Sequence, residues 1–291
     1  MLPANLPDFD ALWDYNNPAR TEMKFREILL QVPENEPAFL ELLTQIARAQ
    51  GLQHKFENAH QTLNQVERRL GNVPSRQRIR YLLERGRVFN SSGQPEKASP
   101  LFEQALSLAE KISEDFYAID AIHMLAIVSQ PEQSLDLNLR AVECAEQARD
   151  EKARNWLGSL YNNLAWSYHD LGNYELALET FVKEEAWQIS KGKINEMRIA
   201  AWCIARTLRS MNRFEEALSR QMQLKKDFDT AGEKDGYVLE EIGECLLALN
   251  RRGEARPYFS AAYETLSQDV SLVVNDPHRL ARLKTLADPS G

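Results

Sequence analysis

The sequence is poor in the features that mark secreted, membrane-spanning or disordered proteins. Its 291 residues include only three cysteines, Cys144, Cys203 and Cys245, and their number and spacing argue against a disulfide framework. Twelve glycines and twelve prolines form no long low-complexity tract. No apolar run approaches the roughly 18 residues that span a bilayer, and the first ten residues lack the regions of a signal peptide. We therefore expect a cytoplasmic protein.

Positive charge is also in deficit, because 35 lysines and arginines face 43 aspartates and glutamates and leave a formal net charge of −8. An acidic balance of this kind argues against broad binding to nucleic acid or to anionic membranes. A local run of arginines lies between positions 76 and 87, but acidic neighbours such as Glu84 favour salt bridges there. We expect neither nucleic acid nor a membrane as a partner.

Motifs that carry catalysis or bind cofactors are missing as well. The five histidines do not fall at metal-ligand spacings, and the sequence has no Cys-x-x-Cys pair and no glycine-rich phosphate loop. Adjacent carboxylates occur at 184–185 and 240–241, but neighbours in a helix point about 100° apart. We expect these pairs to lie on solvated faces, and we predict no metal site, no cofactor and no catalytic residue.

What the sequence does have is an internal repeat. A small residue recurs in one set of helical segments, at steps of 39, 40, 39, 40 and 38 residues. A second small residue follows the first by 12 residues in every unit except the third, where the spacing is 8. The first set is Ala47, Gly86, Ala126, Ala165, Ala205 and Gly243, and the second set is Ala59, Ala98, Ser134, Ala177, Ala217 and Ala255.

This spacing predicts a series of antiparallel helix pairs. Small residues let the two helices of a pair approach closely, and large residues one turn away fill the remaining gaps. One pair cannot bury its apolar stripe alone, so the pairs stack on one another. In the third unit the shorter spacing near Pro131, and the polar Asn138 at a large apolar position, predict a local irregularity.

The clearest unit, residues 161–181, resembles the tetratricopeptide repeat family. The residues that carry the resemblance are Leu164, Ala165 and Tyr168 in the first helix, Gly172 and Asn173 in the turn, and Ala177 and Phe181 in the second helix. The resemblance implies an all-α fold, a right-handed superhelical solenoid of antiparallel helix hairpins. We expect a single solenoid domain with a degenerate half-repeat or cap over residues 1–35, six units over 36–268, and a capping helix and tail over 269–291.

In this family the first helices line the concave surface, and helical periodicity selects the side chains that face it. They are the residues three before, one after and four after each small residue, and we call them the groove stripe. The last unit contributes Glu240 and Glu244 to this stripe. The predicted partner-binding residues are Arg48, Arg87, Asn90, His123, Asn162, Trp166, His169, Trp202, Arg206 and Arg209.

These residue types favour recognition of an extended chain. Arginine binds carboxylates through paired hydrogen bonds, asparagine pairs with peptide backbone, and tryptophan provides a rigid apolar anchor. We therefore predict a non-catalytic scaffold or adaptor that docks an acidic or carboxylate-bearing segment of a protein or peptide. The arginines have a second interpretation, in which they pair with neighbouring helices.

Two other functions stay open. One is a receptor for a small ligand or a signalling peptide, with Trp166, His169 and Trp202 as the floor of its site. Members of the family that receive signalling peptides have units of about this length. The other is an enzyme whose site forms only in three dimensions, for example from His123, Asn162 and His169 with a carboxylate.

Overall fold

The computed structural model describes residues 8–71 and 73–288 and divides the chain into two compact units, Met1–Trp156 and Leu157–Gly291. Within the described residues the regular secondary structure is helical throughout, so the predicted all-α fold is confirmed. The first seven residues of the predicted N-terminal cap and the last three of the predicted tail lie outside the described residues.

The first unit begins with a short 3-10 helix, Asp10–Leu12, and continues with eight α-helices in the described part of the chain. They are α1 Pro18–Leu29, α2 Pro37–Leu52, α3 Phe56–Arg69, α4 Arg76–Ser91, α5 Pro95–Lys111, α6 Asp115–Val128, α7 Pro131–Gln147 and α8 Glu151–Arg154.

The second unit continues the alternation of first and second helices and ends in two shorter ones. Its helices are α9 Leu157–Asp170, α10 Tyr174–Ser190, α11 Ile194–Ser210, α12 Phe214–Thr230, α13 Gly236–Ala248, α14 Arg252–Leu266, α15 Val270–Asn275 and α16 Pro277–Ala287. The last of these lies where the sequence predicts a capping helix. It begins at Pro277, where the side chain of Asp276 accepts a hydrogen bond from the Arg279 backbone and the proline fits the first turn.

Five of the six repeats share one backbone feature in the turn inside the hairpin. The residue seven positions after the small residue of the first helix has a positive φ in these repeats. The N–H of this residue donates a hydrogen bond to the carbonyl three residues before it. The N–H of the following residue donates to the carbonyl five residues before itself, and these two bonds close the end of the first helix. The residues with this conformation are His54, Gly93, Gly172, Asn212 and Asn250.

The third of the six repeats lacks this turn. Helix α6 ends at Val128, two residues after Ala126, and α7 begins at Pro131. Because the first helix stops early, the chain passes directly into the second helix through Ser129 in extended conformation. The predicted shortening of this repeat is therefore confirmed, and Asn138 is buried at the position that a large apolar residue occupies in four of the other five repeats.

Close contact between a small residue and an aromatic ring holds the two helices of a hairpin together. A methyl group on Gly86 would lie 2.3 Å from Cε1 of Phe102, and one on Gly243 would lie 2.7 Å from Cε1 of Phe259. Both rings are buried, and Phe181 fills the same position beside Ala165. The repeat pattern in the sequence therefore marks the points of closest helix approach.

The prediction that adjacent carboxylates lie on solvated faces is wrong for Glu184, Glu240 and Glu241, which are all buried. Glu184 lies seven residues after Ala177, and at that register the other second helices bury Val66, Ala105, Ala141, Leu224 and Ala262. Helices α9 and α11 pack against α10, the helix that carries Glu184. Two adjacent glutamates in a sequence do not reveal which of them such neighbours cover.

Glu184 is the least compensated of these carboxylates. Burial raises the pKa of Glu184 to about 8, and a hydrogen bond with Gln188 opposes the rise only in part. Within the described residues its Oε2 atom has no hydrogen-bond partner. The folded state therefore holds Glu184 protonated at pH values where an exposed glutamate is ionised.

No helix in the described part of the chain has both the length and the apolar character needed to cross a bilayer.

We predict that Gly86→Ala lowers the free energy of unfolding by about 1 kcal/mol or more, because overpacking against Phe102 costs about 1–3 kcal/mol and exceeds the gain in helix propensity. Gly253→Ala is the matched control, since a methyl group on Gly253 meets no atom within 4 Å. Urea unfolding followed by circular dichroism measures both. Equal stability of the two variants would contradict the assigned contact.

We also predict a pH dependence that Glu184 controls. Its folded pKa of about 8 lies above the ordinary value of 4.5, so the unfolded state releases a proton that the folded state keeps. Stability attributable to this group therefore falls as pH rises from about 4.5 to about 8, by at most about 1.4 kcal/mol per pH unit. Glu184→Gln removes that loss, and the exposed Glu179→Gln retains it. Urea midpoints measured between pH 5 and pH 8 test this, and parallel curves for wild type and Glu184→Gln would refute it.

Candidate functional site

The arginines of the groove stripe in the first unit are paired with acidic side chains. Arg87 donates to Glu84 at 2.6 Å and also contacts Asp120, and Arg48 lies 3.5 Å from Glu84. Burial disfavours the charged Arg87, but Asp120 and Glu84 outweigh it and raise the pKa of Arg87. Arg87 is therefore fixed within the unit as a cation between two carboxylates.

The other two predicted residues of this unit lie close by in the same stripe. Asn90 is half-buried at the end of α4. His123 packs against Trp156, with 5.3 Å between ring centroids. Burial lowers the pKa of His123. The negative charge of Asp120 opposes this change, and the positive charge of Arg87 adds to it. A histidine in this setting stays neutral at physiological pH.

An unpredicted feature of the first unit is that its own N-terminal segment, residues 8–15, lies against α2, α4 and α8 and contacts the groove stripe at Arg48. Asp10 accepts two hydrogen bonds of 3.0 Å from Arg80 and also contacts Lys152. Trp13 donates from Nε1 to Gln45 at 2.8 Å, and the Arg48 guanidinium lies 5.5 Å from the Trp13 ring centre. The signal in the sequence is the mixture of aspartates and aromatic residues in this segment.

In the second unit the predicted aromatic residues come together. The ring centroids of Trp166 and His169 are 5.0 Å apart, and those of Trp166 and Trp202 are 6.5 Å apart. His169 lies 3.0 Å from Ser210 Oγ through Nε2. The Asn162 amide donates to Asn163 at 3.3 Å. The stripe of this unit is therefore a continuous aromatic surface beside polar groups.

The predicted arginines of the second unit are paired with the glutamates of the last repeat. Arg209 donates to both carboxylate oxygens of Glu241, at 2.7 and 2.9 Å, and Arg206 approaches the same carboxylate at 3.3 Å. Helix α16 supplies two further arginines, which contact Glu240 and Glu244. The arginines and the glutamates of this stripe thus neutralise one another or are neutralised by charges on neighbouring helices.

A cavity of about 440 Å³ opens beside this charged strip. Ile199 and Trp202 of α11, Tyr237 of α13, and Leu224 and Phe228 of α12 line it. The Arg198 guanidinium lies 4.4 Å from the ring centre of Phe228. The sequence prediction included Trp202. It missed Ile199 and Tyr237, which lie about one turn before the chosen positions, and the two α12 residues, which belong to a second helix.

The arrangement offers little for catalysis. Ser210, His169 and Asp170 come nearest to a Ser-His-acid triad in the described part of the second unit. The distance from His169 Nδ1 to Asp170 Oδ1 is 3.6 Å, too long for the orienting hydrogen bond, and Arg206 donates to the Ser210 hydroxyl at 2.9 Å. Among the described residues, no group of three His, Cys, Asp or Glu side chains is placed to hold a metal ion.

A family model of the tetratricopeptide repeat matches residues 79–112 and 158–183. The first segment covers most of α4 and all of α5, and the second covers α9 and the first part of α10. No curated protein sequence matches the chain.

Solved structures with the same kind of fold cover most of the chain. The apo form of RapI has a TM-score of 0.73 at 14 % identity, covering 94 % of this chain and 76 % of that one. The protein NprR in complex with its cognate peptide NprX has a TM-score of 0.57 at 15 % identity, covering 95 % and 81 %. A putative kinesin light chain from Podosopora anserina with nearly identical repeats has a TM-score of 0.56 at 20 % identity, covering 66 % and 96 %.

These likenesses establish the fold, and the family model matches the hairpins on which the sequence resemblance depends. The chain therefore contains tetratricopeptide repeats at residues 79–112 and 158–183 and has the fold of tetratricopeptide-like helical solenoids.

Proposed function

We propose that the chain is a non-catalytic scaffold that binds an extended segment of a protein or peptide partner on the groove stripe of its second unit. The observation that carries this proposal is the apolar cavity at Ile199, Trp202 and Tyr237, which lies beside a charged strip of arginines and carboxylates. Trp202 lines both the apolar cavity and the charged strip. A segment with an apolar anchor next to a carboxylate fits this combination.

The apolar part of the site has the properties of an anchor pocket. Its volume of about 440 Å³ falls in the range of about 300–1,000 Å³ that is usual for ligand sites. Ile199 is 56 % exposed although it is a large apolar residue that lines the cavity. Covering such a side chain with a partner's apolar group removes it from water and favours binding.

The charged part of the site favours a carboxylate through Arg206. Arg209 already donates two hydrogen bonds to Glu241, whereas Arg206 approaches that carboxylate at the longer distance of 3.3 Å. Arg206 is also partly exposed, so its guanidinium can turn to an incoming carboxylate while Glu241 keeps Arg209. The acidic or carboxylate-bearing ligand predicted from the sequence therefore has one specific candidate receptor residue.

Two further facts support this proposal. NprR, which shares the fold, has been solved in complex with a cognate peptide. The three cysteines of this chain are free thiols, which fits the reducing conditions of the cytoplasm, where we place the interaction.

A receptor for a small ligand is the second candidate, because the same cavity is large enough to hold one. The two functions differ in what raises the melting temperature of the purified chain. A small apolar compound that stabilises the chain alone supports the receptor, whereas stabilisation that requires a peptide supports the scaffold.

We predict that Ile199→Ser weakens peptide binding about five- to tenfold, because it removes apolar contact worth about 1 kcal/mol or slightly more. Ile194→Ser is the matched control, since Ile194 lies on the same helix and is 62 % exposed but does not line the cavity. Peptides selected from a random phage library by the full chain, labelled and titrated by fluorescence anisotropy, provide the measurement. Equal affinities for the two variants would reject the cavity as the anchor site.

We predict that Arg206→Gln lowers affinity for a carboxylate-bearing peptide about three- to tenfold and leaves its amide counterpart unchanged, because the guanidinium pairs with the charge. The control variant is Arg220→Gln, which changes the same charge on an exposed side chain of α12. Isothermal titration with each peptide pair measures the difference. If Arg206→Gln affects acid and amide peptides equally, the carboxylate is not bound there.

A further inference from the structure

We propose that the surface of the first unit that residues 8–15 cover, which includes Arg48 of the groove stripe, is a second binding site. Its ligand is an extended segment with a carboxylate three residues before a tryptophan, and the chain's own N-terminal segment is the internal competitor. The site lies within the first unit and requires nothing of the second, so it goes beyond the function proposed above. The argument starts from how residues 8–15 are held.

The carboxylate half of this site is built from buried and half-buried groups. Arg80 is 6 % exposed, donates from Nε to Tyr117 Oη at 2.6 Å and donates from Nη2 to both carboxylate oxygens of Asp10 at 3.0 Å. Lys152 contacts Asp10 and lies 3.5 Å from Asp8. Burial raises the pKa of the Asp10 carboxyl, but the charges of Arg80 and Lys152 outweigh it and hold the pKa below its ordinary value.

The aromatic half of the site lies about one helical turn further along the segment. Trp13 stacks on Tyr15 at 5.0 Å, meets the edge of Phe25 at 5.5 Å and donates from its indole nitrogen to Gln45. The Arg48 guanidinium lies 5.5 Å from the Trp13 ring centre. Hydrogen bonding at one end of the indole and a cation over its face together favour tryptophan over a smaller apolar residue.

The segment is held to α2, α4 and α8 by its side chains. Its described backbone hydrogen bonds run within residues 8–21, as from Ala11 to Asp8 and from Asn17 to Asp14, and not to α2, α4 or α6. The segment can therefore leave this surface without opening a helix pair. A cavity of about 420 Å³ lies beside it, lined by Glu41, Arg76, Phe116 and Tyr117 among others, so the surface has room for a longer ligand.

The covalent tether gives the internal segment an advantage over a free peptide with the same contacts. A short flexible connection corresponds to an effective concentration of about 1 mM, far above a partner at micromolar concentration. The apparent affinity of an external segment is then its intrinsic affinity multiplied by the fraction of sites that the internal segment leaves free. Weakening the internal segment should therefore strengthen external binding.

The test uses the full chain and a fluorescein-labelled synthetic peptide with the sequence of residues 8–15. The double variant Asp10→Asn with Trp13→Ala weakens the internal segment, and we expect it to bind the peptide at least tenfold more tightly than wild type by fluorescence anisotropy. Asp14→Asn is the matched control, because it removes a carboxylate of the same segment that accepts only from the neighbouring Asn16 backbone. We expect its affinity to stay within twofold of wild type.

Two further measurements locate the peptide. Lys152→Gln, added to the double variant, should weaken peptide binding at least threefold. Hydrogen exchange on wild type should show faster exchange over residues 8–17 when the peptide is in excess, which needs no variant to fold. Equal affinity of wild type and double variant, or unchanged exchange over residues 8–17 at saturating peptide, would overturn the proposal.

Discussion

The contact between a small residue on the first helix of a hairpin and a large residue on the second helix is the interaction on which the rest of the structure depends. At Gly86 and Gly243 an aromatic ring lies so close to the helix axis that a single methyl group would collide with it. This contact fixes the separation of each helix pair and therefore the side of the first helix that is left for the groove stripe. Every property of the candidate sites follows from that placement.

Charge pairing between consecutive first helices is the second constraint. Arg87 is held between Glu84 and Asp120, and Arg209 is held by Glu241 of the next first helix. Such pairs align neighbouring helices, and they also neutralise most of the arginines that a partner would need. In the proposed function, recognition depends on Arg206, which is partly exposed and only loosely paired, and on the apolar cavity at Ile199.

The two units present different states of the same kind of surface. In the first, the chain's own N-terminal segment supplies both a carboxylate and an indole to the helices that it covers. In the second, an apolar cavity and a charged strip lie next to each other without such a segment described on them. The same kind of helix surface is therefore covered in the first unit and open in the second, and the difference comes from a short stretch outside the repeats.

The sequence by itself determined the repeat, because small residues spaced about 39 positions apart leave few other ways to pack helices, and it also determined the short third unit and the helix after Asp276. Only the tertiary structure decided which charges are paired, that Glu184 is buried, and that residues 8–15 cover a surface of the first unit. The physical reason is the distance along the chain between interacting residues. Helix spacing and turn geometry depend on residues close in sequence, and they repeat along the chain. Ion pairs and burial depend on residues such as Asp10 and Arg80, whose 70-residue separation carries no periodic signal.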